Sequence, residues 1–412
     1  MRFAAVIGLS IISASIFPSR AWSEADQPKP SQVFQQLFPN PTGQNAYEDF
    51  VRAGDLLKNS PAFRAAQGEG MSELDLTLAK KREFLSDPGV SAALALVRTG
   101  VKKPARSPHE KLDDETVMPE MVLYRVVARA LSVEMYVLLA DGRVSQAISA
   151  FADGLTMSYL VHSDTLINGL VAIAMDAIVI RSLSEHLEQL SSRDCERLIA
   201  VANDWLKTPD PGVAIMARER ISMMKLLDKY RSQPAKLASL LDSGQPGSPQ
   251  RVEYDNLVQK LSGSNPNAIG PVFDQVAARA NSYYDQVEGN MRKPIWERTD
   301  IPEPVNDGSL THQILKGVLP ALNRVLDRYG VEQAKVQLLG VHAAIRRYRW
   351  ENNTLPNSID QLKLGRLGID PFSGKPFIYK RTDDRTYELS SIGAMDRGSS
   401  DSPTPGGRVP IR

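Results

Sequence analysis

The sequence predicts an all-α protein, an irregular multi-helix array of packed helical hairpins with a small C-terminal helix plus β-hairpin appendage. Three observations predict it. Apolar residues recur at helical spacing through nearly the whole of Pro119–Leu206, more hydrophobic surface than isolated helices can expose to water. The joints in that interval are brief turn signals such as Asp141-Gly142. Only near the C terminus does the pattern change to an alternation of apolar and polar residues, in Phe377, Tyr379, Tyr387 and Leu389.

Totals bound the rest. The chain has 412 residues, 42% hydrophobic and 24% charged, which suits one large or two medium globular domains. A formal net charge of +1 gives no field to draw in nucleic acid or anionic lipid. Arg2, the short apolar segment Ala4–Phe17 and the small residues Ala21 and Ser23 form the three-part layout of a secretory signal peptide over 1–23. That segment is short and Ser-rich for a span of about 20 residues. The expectation is therefore a periplasmic or extracellular protein with no stable membrane insertion after signal removal. The single cysteine, Cys195, cannot close an internal disulfide, so stability must come from the core.

Taken in order, residues 24–44 read as a Pro-punctuated lead-in. Asn45 caps a first helix that Asn59-Ser60-Pro61 stops. A second helix is expected from Ser72 to Ser86, and a short third over Val90–Val97 after Asp87-Pro88-Gly89. Residues 99–118 form a polar loop, either functional or a strap along the helices, with His109 solvated in it. Four helices follow: Pro119–Ala140, Val144–Tyr159, one capped by Asp164 and running to about Gln189, and one capped by Ser192 and running to about Lys207. The first pair has the rhythm of a tetratricopeptide-like hairpin, without a sustained repeat. Two helices between Val213 and Asp242 lead to SGQPGSPQ (243–250), a soft boundary. Helices at 251–262 and 267–290 precede an irregular segment (291–308) that Trp296 is expected to pin to the core. Helices at 310–328, kinked at Leu319-Pro320, and 331–352 complete a helical domain over 24–352. The residues 353–396 form the hairpin module, and 397–412 a flexible tail.

Within that module, NNTLPNSIDQL, DPFSGKPFIYK and YELSSIGAMD resemble the C-terminal part of type II secretion pseudopilins of the major class. The resemblance covers about 60 residues. It implies a turn anchored by Leu355-Pro356 and Leu362 and a hairpin opened by Asp370-Pro371 and Gly374–Phe377. It also raises a calcium site near Asp396 and Asp401, yet only RGSS separates these two carboxylates and Ca²⁺ takes about six to eight oxygens. The preceding helix carries Arg346, Arg347 and Arg349 and no prepilin leader opens the chain, so a filament subunit is not expected. The middle of the chain, with NAY…D…AGDLL ahead of the DP-F-G-P tail, is also similar to a family of uncharacterised exported bacterial helical proteins, a likeness that implies architecture and no chemistry.

No HExxH, nucleophile elbow or phosphate-binding glycine loop is present, and the five histidines, at 109, 162, 186, 312 and 342, are not paired at one-turn spacing. No metal or other cofactor is expected. The informative polar residues are carboxylates inside apolar helices, Glu134 and Asp176, with Asn168 on the side of Asp176. Such a group must pair, accept hydrogen bonds or keep its proton. Pairing with an arginine (Arg125, Arg129 or Arg181) is the structural reading; a shared cleft in which the two divide acid and base roles is the catalytic one. Tyr348 and Trp350 among arginines are expected to pack on the hairpin. The leading function is thus a non-catalytic extracytoplasmic helical scaffold or protein-binding protein, whose partner would be another envelope protein. The alternatives are a cell-envelope hydrolase using the carboxylate pair and an accessory protein of a secretion or pilus system.

Overall fold

The computed structural model describes residues 30–68, 74–109, 118–162, 165–233, 251–252, 255–256, 259–260, 266–302, 307–319, 322–393 and 409–410. The signal segment, the 243–250 boundary and Asp396 and Asp401 lie outside them. Within these residues the protein is an all-α multi-helix array with a small antiparallel β-hairpin.

Five helices open the chain: α1 Pro30–Leu37, α2 Ala46–Asn59, α3 Pro61–Gly68, α4 Leu78–Ser86 and α5 Pro88–Gly100. Asn45 caps α2 by accepting from the Tyr47 amide at 3.2 Å. Two of these helices depart from the sequence reading, because Pro30 and Pro61 open helices rather than only ending segments. Proline lacks the N–H that a first turn leaves unused. The next helix starts at Leu78, not Ser72, since Thr77 supplies the cap. Asp87 ends α4 and caps α5, accepting from Gly89 at 2.7 Å.

The loop after α5 behaves as a strap in its first half. Ala46 donates its amide to the Pro104 carbonyl at 3.0 Å, and Asn45 exchanges side-chain bonds with the Arg106 backbone. His109, expected in solvent, instead lies 2.7 Å from the buried Glu120 and is itself mostly covered.

The central helices are α6 Glu120–Ala140, α7 Val144–Val161, α8 Leu166–Ser184 and α9 Ser192–Trp205. The caps fall one residue from expectation in α8 and α9. Thr165 accepts from the Asn168 amide, and Ser191 forms a capping box with Asp194. Helix α8 carries apolar residues on nearly every side, and Arg181 is its one exposed position. It touches all three hydrophobic cores. Leu166 and Ile173 join one, Met175 a second, and Val179, Ile180 and Leu183 the third. Full burial of each such side chain stabilises by about 1.5–3 kcal/mol. Helix α8 is long and apolar enough to cross a membrane by length and composition, and the three cores account for that composition instead.

Among the described residues four more helices follow: α10 Gly212–Arg231, α11 Pro266–Met291, α12 Leu310–Val318 and α13 Leu322–Asn352; the second helix expected before Asp242 lies outside them. Where a kink is expected at Leu319-Pro320, α12 ends at Val318, and Pro320 lies outside the described residues. Pro320 has no N–H and turns Leu319 to extended backbone. Gly330, the expected second break, continues α13; a Cβ there would come within 2.8 Å of the Phe372 ring, so a glycine lets that ring approach the helix. Trp296 is half exposed and lies against Gly374 rather than in the core.

The C-terminal module packs into the core shared by α7, α8, α9 and α13 through Leu355, Ile359, Leu367, Phe377 and Leu389. Strands β1 Ile378–Arg381 and β2 Tyr387–Ser391 pair antiparallel, with Tyr379 opposite Leu389. The tail was expected to be loose, yet Val409–Pro410 form β3 on the open edge of β2, whose backbone groups would otherwise lack partners. Asp370 staples the module. Its carboxylate accepts from the Phe372 amide at 2.9 Å, the Ser391 hydroxyl at 2.8 Å and the Ile392 amide at 2.8 Å. Arg346 and Trp350 were expected on the hairpin; both donate to the Leu190 carbonyl, while Tyr348 accepts from Gln361 of the module.

Candidate functional site

Where α7 ends, α8 crosses and the upper part of α13 passes, the described residues form a cleft of about 650 Å³, the solvent at its mouth included. Tyr159 and His162 come from the end of α7, Ile173 and Asp176 from α8, and Tyr329 and Glu332 from α13. The segment Trp205–Pro211 closes the remaining side. Its prolines stop α9 and stiffen the wall. Asp210 caps α10 through the Gly212 amide at 2.9 Å and pairs with Arg298 at 2.9 Å.

Local sequence explains why these side chains meet. Asn168 accepts from the Thr165 hydroxyl at 2.6 Å and donates to the Val161 carbonyl at 3.3 Å, tying the start of α8 to the end of α7. Gly169 leaves room for Tyr329, because a Cβ there would stand 2.0 Å from the tyrosine oxygen. The His162 ring lies 4.7 Å from the Tyr329 ring at 31°.

The electrostatics are unusual for a core. Asp176 is buried and, among the described residues, paired with no arginine. Burial raises its pKa well above 3.8, the Glu332 carboxylate raises it further, and a hydrogen bond with Ser158 and the charge of Lys335 oppose this. Burial also raises Glu332, against its 2.8 Å pair with Lys335. Burial pushes His162 down to about 4, with the Asp210 charge opposing, so the ring is neutral at pH 7. The Tyr329 phenol is pushed up, first by burial. Four residues that line the cleft each carry a buried polar atom with no hydrogen-bond partner among the described residues: Asp176 Oδ1, Glu332 Oε2, His162 Nε2 and Tyr329 Oη. A buried polar atom left unpaired costs about 1–3 kcal/mol, and buried polar groups are paired in the great majority of cases. Four around one cavity are a concentration that packing does not require.

Glu134 and Asp176 do not come together. Glu134 pairs with Arg98 on α5, near Asp153, and is not on the cleft wall. Its arginine was not among those expected, since Arg98 is remote in sequence and Arg181 is taken by Glu185. Asp176 reaches the cleft, and its carboxylate neighbour is Glu332. The sequence carried a usable sign of Glu332: it shares a helical face with Tyr329 and Val336 and is the same buried-carboxylate pattern that singled out Glu134. Nothing in the spacing announced His162. Cys195 is buried, and its thiol is pushed up to about 12 by burial, so it is not a nucleophile at neutral pH. Among the described residues, no three of His, Cys, Asp and Glu gather as metal ligands. No family model, curated protein or solved structure matches the chain.

Proposed function

We propose that the protein is a non-catalytic, extracytoplasmic helical binding protein whose cleft between α7, α8 and α13 takes a small ligand. The observation that carries this is the set of four residues lining one cavity that each carry a buried, unpartnered polar atom. A ligand supplies their hydrogen bonds and removes a penalty that the fold alone would bear. The test uses a blocking variant. Thr208 lies exposed at the cleft wall, so Thr208→Trp fills the mouth without entering the core. In a thermal-shift screen of small metabolites, hits on the wild-type protein are expected to vanish in Thr208→Trp. Hits unaffected by the block, or none at all, would count against the cleft.

A second reading keeps the hydrolase but changes its residues. A protonated Asp176 beside Glu332 has the form of an acid and a base whose environments differ. Turnover of any screening hit, abolished by Asp176→Asn, would favour it; recovery of unchanged ligand supports binding alone. Export rests on the layout of residues 1–23, and a mature chain beginning at Glu24 in the envelope fraction is the expected result of N-terminal sequencing. An accessory role beside a secretion system, with an envelope protein as partner, rests on the resemblance of the module. The apolar residues of that module are already spent on the core, and co-purification with a pseudopilin tests the role.

A further inference from the structure

We infer, building on the reading of the cleft as a ligand site, that its ligand is a small uncharged molecule rich in hydroxyl groups, of the sugar or cyclitol class, hydrogen-bonded by Asp176, Glu332, His162 and Tyr329.

The argument is one of matching chemistry. The unpartnered atoms are a carboxyl oxygen from each of two acids, an imidazole nitrogen and a phenol oxygen. A protonated carboxyl, a neutral imidazole and a phenol each donate or accept, whereas Glu332 Oε2 accepts. A hydroxyl does both, so a ring of hydroxyls answers the whole set. An anionic ligand would face the Glu332 and Asp210 carboxylates in one enclosure, with like charges at close range in a poorly screened site. A cationic ligand finds the formal carboxylates already answered. Asp210 holds Arg298, Glu332 holds Lys335, and Arg366 stands on the wall, donating to the Leu206 carbonyl at 3.0 Å. Burying a further charge without a free counter-charge is costly. The rest of the wall suits the non-polar faces of a sugar ring. Tyr159, Trp205 and Ile173 offer flat or apolar surface, and amphipathic rings bury well against aromatic side chains.

Saturation-transfer NMR on the full protein tests this with three probe groups: neutral hexoses, N-acetylhexosamines and myo-inositol; choline; and acetate. At least one neutral probe is expected to bind, with the signal lost in Thr208→Trp. Tyr329→Phe, which keeps the ring and removes only the hydroxyl, should weaken binding about tenfold, one hydrogen bond's worth. Asp176→Leu, which removes the polar group, should abolish binding; circular-dichroism melts verify that each variant is folded. Cleft-dependent binding of choline or acetate with none of the neutral probes overturns the ligand class and leaves the binding cleft standing. No cleft-dependent binding of any probe or screening hit overturns both.

Discussion

Asp370 and Asp176 are almost equally buried, at 1% and 4% exposure, yet their surroundings are opposite. Asp370 sits in a nest of two amides and a hydroxyl inside the C-terminal module, and its oxygens have protein donors. Asp176 sits in an apolar helix with one buried oxygen unpartnered, a second acid beside it and a cleft that its residue helps to line. Burial by itself therefore says little about the role of a carboxylate. Where the fold supplies the donors, the group holds the fold together; where it withholds them beside a cavity, the group is set aside for something that enters.

The largest test of this contrast is Asp370→Ala. It leaves buried amides without an acceptor and should destabilise the protein by about 3–5 kcal/mol, read as a fall in the urea midpoint. A loss below about 1 kcal/mol would mean that water replaces the staple. The next is Gly169→Ala, whose new methyl must displace the Tyr329 hydroxyl. A loss of about 1–3 kcal/mol is expected, largely recovered in the Gly169→Ala/Tyr329→Phe double variant. Additive effects in that cycle would break the proposed contact.

Asp176→Asn sharpens the comparison through pH. The folded protein keeps the Asp176 proton that the unfolded chain sheds near 3.8, so stability falls as pH rises above 3.8 and the loss is complete beyond the raised folded pKa. His162 acts in the opposite sense. Its folded pKa of about 4 lies below the unfolded 6.5, so stability is lost as pH falls from 6.5 toward 4. Equilibrium unfolding across this range should show Asp176→Asn removing only the first slope and raising stability at neutral pH. The smallest effect belongs to Glu134→Gln. Its partner Arg98 is well exposed, so the pair should contribute about 0–1 kcal/mol, with ligand binding unchanged. Loss of binding in a folded Glu134→Gln protein would return that residue to the site.

Much of the fold was legible because helix periodicity and capping are local. The hairpin α6–α7, the break at Asp87 and the strand pair after Pro376 follow from residues within a few positions of each other. The caps slipped by one where two candidates stood side by side, as at Asp164-Thr165 and Ser191-Ser192. The site was half legible. Asp176 stood out as an acid in an apolar helix. Its true neighbour Glu332 is 156 residues away on α13, and only tertiary packing joins them. Glu134 gave the same local sign and proved to be an ion pair away from the cleft, because the arginine that answers it arrives from α5.

The ¹³C carboxyl titration of aspartate-labelled protein, with Asp176→Asn for assignment, tests the central contrast most directly. The expected result is one aspartate resonance, absent from the variant, that remains protonated well above the usual range of about 3–5 and shifts when a cleft ligand is added. A resonance for Asp176 that ionises within that range would contradict it.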